Sequence, residues 1–85
     1  MSLLDEARRE LAQKTTSQIE YETAWQWAAR AVAAYENLQA AHGDHQWLIA
    51  HVHFLDEAYE HAALADATGV VLRHVRDWVR QYVPT

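Results

Sequence analysis

The 85-residue chain has no cysteine, only two glycines and a single proline. Without cysteine there is no disulfide, and the redox compartment is left open. Few glycines and prolines leave few turns, and about half of the residues are hydrophobic, a composition that favours long helices over a β sandwich or barrel. The length fits one domain, residues 1–85, with a thin core that buries only about 60–65% of the unfolded surface.

The chain also lacks any apolar run near the roughly 20 residues that span a bilayer. Its first residues do not show the charged and then apolar pattern of a signal peptide. From these absences we predict no membrane partner and a cytoplasmic location.

Positive charge is scarce in the middle of the chain. Residues 15–68 hold one cation, Arg30, against eight anions, and the net charge of the whole chain is −5. Arg73, Arg76 and Arg80 form a basic stripe near the end. This stripe is typical of a solvated helix face, and it could also grip an acidic partner or phosphates. An acidic centre opposes the neutralisation of phosphates, so we predict no nucleic-acid partner.

Hydrophobic periodicity is the strongest positive signal in the sequence. Apolar residues recur every three or four positions on both sides of the break His42-Gly43-Asp44, which predicts two amphipathic helices. The first set is Ala24, Ala28, Ala31, Tyr35 and Leu38, and the second is Leu48, Val52, Leu55, Tyr59 and Ala62. The predicted helices cover residues 18–41 and 45–66, with Gly43 as the stop and Asp44 as the next N-cap. A short turn between them predicts an antiparallel hairpin.

Two shorter helices are predicted to flank the hairpin, over residues 3–14 and 70–82. Ser17 and Glu20 have capping-box spacing, which predicts a break before the second helix. The alternative is one continuous helix through Thr16. The predicted fold class is therefore all-α, a small helical bundle built on a long antiparallel helical hairpin with two shorter flanking helices.

Aromatic residues and wide apolar faces predict self-association. A helix with so wide an apolar face usually contacts two neighbours, and exposed aromatic patches commonly mark interfaces. We predict a homodimer, with two-fold symmetry, whose interface includes Trp25, Trp27, Trp47, Phe54 and Trp78. Trp25 and Trp27 point about 200° apart, so one can enter the core while the other faces a partner. Packing of these rings is the main interpretation, and a small-ligand pocket between the tryptophan-bearing helices is the alternative.

Histidine is unusually frequent, with six residues in the chain. His53, Glu57 and His61 follow one another at intervals of four, so they share a helix face that could bind Zn²⁺ or another divalent metal. Glu22 lies at the level of His61 in an antiparallel hairpin and could join them. The alternative is a solvated polar face with His–Glu contacts. His51 lies in an apolar stripe, where Tyr35 and Glu36 are its expected partners, and a cationic His51 would make assembly pH-sensitive.

The sequence shows none of the common motifs of a catalytic site. The chain has no cysteine nucleophile and no glycine-rich phosphate loop, and its few Ser and Thr residues lie near predicted helix ends. We therefore predict a non-enzymatic interaction or assembly module that self-associates and needs no cofactor. The alternative is a metal-binding helical bundle that uses the His/Glu face of the third helix.

Overall fold

A computed structural model describes residues 2–13 and 15–84, and its fold is all-α, as predicted. These described residues form four helices, α1 (Leu3–Gln13), α2 (Thr16–Ala40), α3 (His45–Ala65) and α4 (Val70–Arg80). Lys14, the predicted end of the first helix, lies outside the described residues. None of the helices in the described ranges has the length and apolarity needed to cross a bilayer.

The start of α2 is set by Thr15, not by Ser17. Thr15 has an extended backbone, its hydroxyl accepts the Gln18 amide at 3.1 Å, and the Gln18 side chain accepts the Thr15 amide at 2.8 Å. The capping box is therefore Thr15-x-x-Gln18, and the prediction from Ser17 and Glu20 is wrong by two residues. Because Thr15 is extended, α1 and α2 are separate helices and the continuous alternative is also wrong.

The turn after α2 lies at the predicted residues, but the left-handed backbone begins at His42, one residue before the predicted stop at Gly43. His42 is the first residue with a left-handed backbone (φ 56°), and Gly43 follows with φ 85°. The Gly43 amide donates to the Leu38 carbonyl at 2.8 Å, which satisfies one of the last acceptors of the helix. Asp44 caps α3 as predicted, since its carboxylate accepts the Gln46 amide at 2.9 Å.

α2 and α3 run antiparallel along their length. Near one end Glu20 of α2 contacts His61 of α3, and nearer the turn the Ala31 carbonyl meets His51. Residue numbers thus fall along α3 as they rise along α2. α4 packs on this pair, with the rings of Trp78 and Trp25 edge to face at 5.6 Å.

The core is made of small side chains. Ala24, Ala28, Ala58 and Ala62 are completely buried, and Val75 is the largest side chain that is fully enclosed. Alanines at a helix contact allow the two backbones to approach to about 8 Å. Larger residues such as Leu55 and Tyr59 lie at the margin of this core and stay partly exposed.

The molecule is elongated. Its radius of gyration is 15.5 Å, against about 12 Å for a compact domain of this length. Leu3 and Leu4 of α1 are 84% and 59% exposed, and the first half of α3 also carries exposed aliphatic side chains. The uncovered part of α3 is the first feature of the candidate site.

Candidate functional site

The apolar stripe of α3 is covered over only half of its length. Its second half packs with the valines of α4, through Leu55, Ala58, Tyr59 and Ala62. In its first half Leu48 is 42% exposed and Val52 49%, and Ile49, about 60° further around the helix than Val52, is 59% exposed. We refer to Leu48, Ile49 and Val52 as the α3 strip. Leu48 and Val52 stay exposed because α4 packs against the other half of the stripe and does not cover this end of the hairpin.

The α3 strip lines a shallow groove of about 430 Å³ that ends in polar residues. His53 and Asp56 complete its lining, and both are exposed. Asp56 follows Val52 by one helical turn, so the carboxylate stands next to the aliphatic surface.

Positive charge lies on the other side of the same stripe. The Arg76 guanidinium stands over the Tyr59 ring, 5.4 Å from its centroid. Burial raises the pKa of the Tyr59 hydroxyl, while the charges of Arg76 and Arg80 act in the opposite direction. The predicted basic stripe is exposed as expected, and Arg73, Arg76 and Arg80 line a second shallow groove together with Gly69, Leu72 and Asp77.

The aromatic residues predicted for the interface mostly join helices within the chain. Trp27 packs on Phe54 at 5.6 Å, and Trp25 packs on Trp78, with its indole nitrogen buried. Trp25 and Trp27 thus point to different neighbours, as their spacing predicts, but both neighbours belong to the same chain. Trp47 is more open, at 38% exposure.

His61 is held between two carboxylates. Its Nδ1 contacts the Glu20 carboxylate across the α2–α3 interface, and its Nε2 lies 3.5 Å from an oxygen of Glu57. The hydrogen bond to Glu20 raises the pKa of His61, and the negative charges of Glu20, Glu57 and Glu60 act in the same direction. Burial opposes this rise without cancelling it. The arrangement suits a protonated imidazolium that donates from both nitrogens.

The predicted metal residues are only partly brought together. Glu57 and His61 are adjacent, whereas His53 lies against the Trp27 ring at 6.2 Å. Glu20, which the sequence interpretation missed, reaches His61 from α2, while Glu22 lines a different depression with Tyr21 and Ala65. Within residues 2–13 and 15–84 no group of three or more His, Asp or Glu side chains is placed to bind one metal ion. Glu20 lies only two residues from Glu22, which was selected by counting antiparallel levels from the turn.

His51 contacts Tyr35, one of its two predicted partners, but its hydrogen bond goes to a backbone carbonyl and not to Glu36. It is 6% exposed, and its Nδ1 lies 2.7 Å from the Ala31 carbonyl oxygen. A carbonyl only accepts, so Nδ1 carries the proton. The ring also packs on Tyr35 at 5.6 Å, whereas Glu36 is exposed to solvent. The histidine that faces carboxylates between α2 and α3 is therefore His61 rather than His51.

The His61 contacts predict a stability that depends on pH. Because the folded-state pKa is raised, the contribution of His61 is fully present below the unfolded value of about 6.5 and is lost as pH rises through the folded pKa. The difference in unfolding free energy between the wild type and His61→Gln is expected to be about 1 kcal/mol near pH 6 and smaller near pH 8.5. Urea unfolding at the two pH values, followed by circular dichroism, measures it.

The matched control is His74→Gln, because His74 is an exposed histidine on α4. Its difference from the wild type is expected to stay near zero at both pH values. If the difference in unfolding free energy between the wild type and His61→Gln were the same at pH 6 and pH 8.5, the imidazolium would not stabilise the contact between α2 and α3.

Comparison of the chain with protein-family models, with curated proteins and with solved structures found no match.

Proposed function

We propose that this protein is a non-enzymatic helical interaction module that self-associates through the α3 strip. The observation that carries the proposal is the half-covered apolar stripe of α3. Leu55, Tyr59 and Ala62 pack in or against the core, while Leu48 and Val52 continue the same helix face into solvent and Ile49 borders it.

The exposed aliphatic side chains supply the driving force. Fully burying a Val, Leu or Ile side chain contributes about 1.5–3 kcal/mol, and each residue of the strip is roughly half exposed. Covering all three on two copies would contribute several kcal/mol to association. A stable interface needs about 800 Å² from each partner, so the contact must extend from the strip onto neighbouring surface of α3 and α4.

The chemistry of the strip favours binding over catalysis. Its side chains are aliphatic, and they offer no group that transfers a proton or attacks a substrate. The groove they line is shallow and ends at His53 and Asp56. Such a surface suits a second apolar helix better than a small substrate, which usually occupies an enclosed pocket.

Sedimentation velocity over a range from low to high micromolar concentration tests the proposal. The wild type is expected to form a dimer as concentration rises, and Val52→Glu is expected to be monomeric because a carboxylate would be buried in the interface. The matched control is Leu64→Glu on the same helix. Leu64 is 61% exposed but lies about 120° around α3 from Val52, so this variant is expected to dimerise like the wild type.

Either of two results would contradict the proposed self-association. One is a wild type that stays monomeric at high micromolar concentration. The other is a Val52→Glu variant, folded by circular dichroism, that dimerises as strongly as Leu64→Glu.

A further inference from the structure

The covered half of the α3 stripe is bordered by charges of opposite sign. On one side the Arg76 guanidinium of α4 stands over the Tyr59 ring, and Arg80 lines the same shallow groove as Arg76. Asp56 and Glu60 lie about 60° and 100° around α3 from Tyr59, on the side away from the partly buried Leu55 and the buried Ala62. We refer to Arg76 and Arg80 as the basic edge and to Asp56 and Glu60 as the acidic edge.

The two edges lie at one level of the molecule. Asp56 and Glu60 are four residues apart, about 6 Å along the helix axis. Tyr59, whose ring lies under the Arg76 guanidinium, falls between them along the axis. The side chains of all four charged residues are exposed. The surface therefore has an apolar end at the α3 strip and a charged end whose left and right sides have opposite signs.

From this arrangement we propose that the second copy binds with its basic edge on the acidic edge of the first, and the reverse, around a two-fold axis that runs along α3. This inference rests on the proposed self-association and adds its orientation and partner residues. A two-fold axis along the surface places each side of one copy against the opposite side of the other. The α3 strips of the two copies then contact each other, and the basic edge of each copy contacts the acidic edge of the other.

Charge complementarity of this kind fixes the register of the contact and excludes others. Without it, the net charge of −5 on each copy would oppose association. A dimer held only by the α3 strip would therefore tighten as moderate salt screens this repulsion. A dimer with paired edges weakens instead, because salt screens the attraction between them.

Charge reversal followed by mixing tests the proposal. In a symmetric dimer Arg80→Glu places carboxylates opposite Asp56, and Asp56→Lys places cations opposite Arg80, so each variant alone is expected to dimerise about tenfold more weakly than the wild type. In a mixture of the two variants both contacts regain opposite charges. The mixed dimer is therefore expected to dominate and to approach the wild-type affinity. Native mass spectrometry distinguishes the species when one variant carries an isotope label.

The matched control is Arg30→Glu. Arg30 stands over the Trp27 ring on α2, 4.8 Å from the ring centroid, as Arg76 stands over Tyr59. This variant is expected to dimerise as the wild type does and to show no preference for Asp56→Lys.

The outcomes separate the two proposals. If Val52→Glu abolishes the dimer but the charge variants mix statistically, self-association stands and the edge pairing is overturned. If added salt strengthens the wild-type dimer, the edge pairing is overturned as well. If the wild type does not dimerise, both proposals fall.

Discussion

Replacing Ala28 by leucine is expected to lower the free energy of unfolding by about 3 kcal/mol. Ala28 is completely buried in the core cluster, together with Ala24, Ala58 and Ala62. Helices that meet through alanines lie close together, so the three added carbon atoms have no space. The pair α2–α3 must separate or the side chain must adopt a strained rotamer. Urea unfolding at one protein concentration measures the loss, since self-association shifts apparent stability.

The next residue supplies the control. Ala29 is exposed, so Ala29→Leu adds the same atoms to the same helix at a position open to solvent. Its effect is expected to stay within about 0.5 kcal/mol. Equal effects of Ala28→Leu and Ala29→Leu would contradict the close alanine contact. The expected loss is large for this chain, because the total stability of a domain of this size is roughly 4–13 kcal/mol.

The alanine contact also shows how much of the fold the sequence can predict. Periodicity alone places the apolar faces of both long helices, and Asp44 marks the start of α3. The start of α2 is less certain because three hydroxyl residues in succession, Thr15, Thr16 and Ser17, can each cap a helix. The choice of Thr15 depends on the reciprocal bond with Gln18.

The candidate site was harder to predict because it depends on where α4 ends. Leu48 and Leu55 belong to the same periodic stripe, yet only Leu55 packs against the core. No pattern within α3 distinguishes them, since the difference arises from the short length and position of another helix. The same holds for the basic edge, which the placement of α4 brings to Tyr59. Sequence periodicity predicts which residues are apolar, whereas tertiary packing decides which of them remain exposed.

The partner of His61 likewise depends on tertiary packing that the sequence pattern does not determine. An antiparallel pairing estimated from the turn selects Glu22, and the structure selects Glu20. Two residues along a helix change the direction of a side chain by about 200°, so a small error in register moves a carboxylate to another face. The residue type and the helix were predictable, but the exact pair was not.

Replacing His51 by alanine is expected to cost about 3 kcal/mol, because the change removes both a buried ring and an interhelical hydrogen bond. His51 is the only polar residue in the buried set of the described chain, and its Nδ1 donates to the Ala31 carbonyl at 2.7 Å. The ring also fills the space beside Tyr35. Urea unfolding of the variant, again at one protein concentration, measures the sum of these losses.

His51→Phe separates the two contributions. Phenylalanine keeps an aromatic ring beside Tyr35 but cannot donate, and the Ala31 carbonyl retains its own helical hydrogen bond. The variant is therefore expected to recover all but about 1 kcal/mol of the loss. His74→Ala, at an exposed histidine of α4, is expected to change stability by less than about 0.5 kcal/mol. If His51→Phe were as unstable as His51→Ala, the hydrogen bond rather than the ring would hold α3 on α2 at this level. The position of the α3 strip, which includes the neighbouring Val52, would then depend on the hydrogen bond that His51 Nδ1 donates.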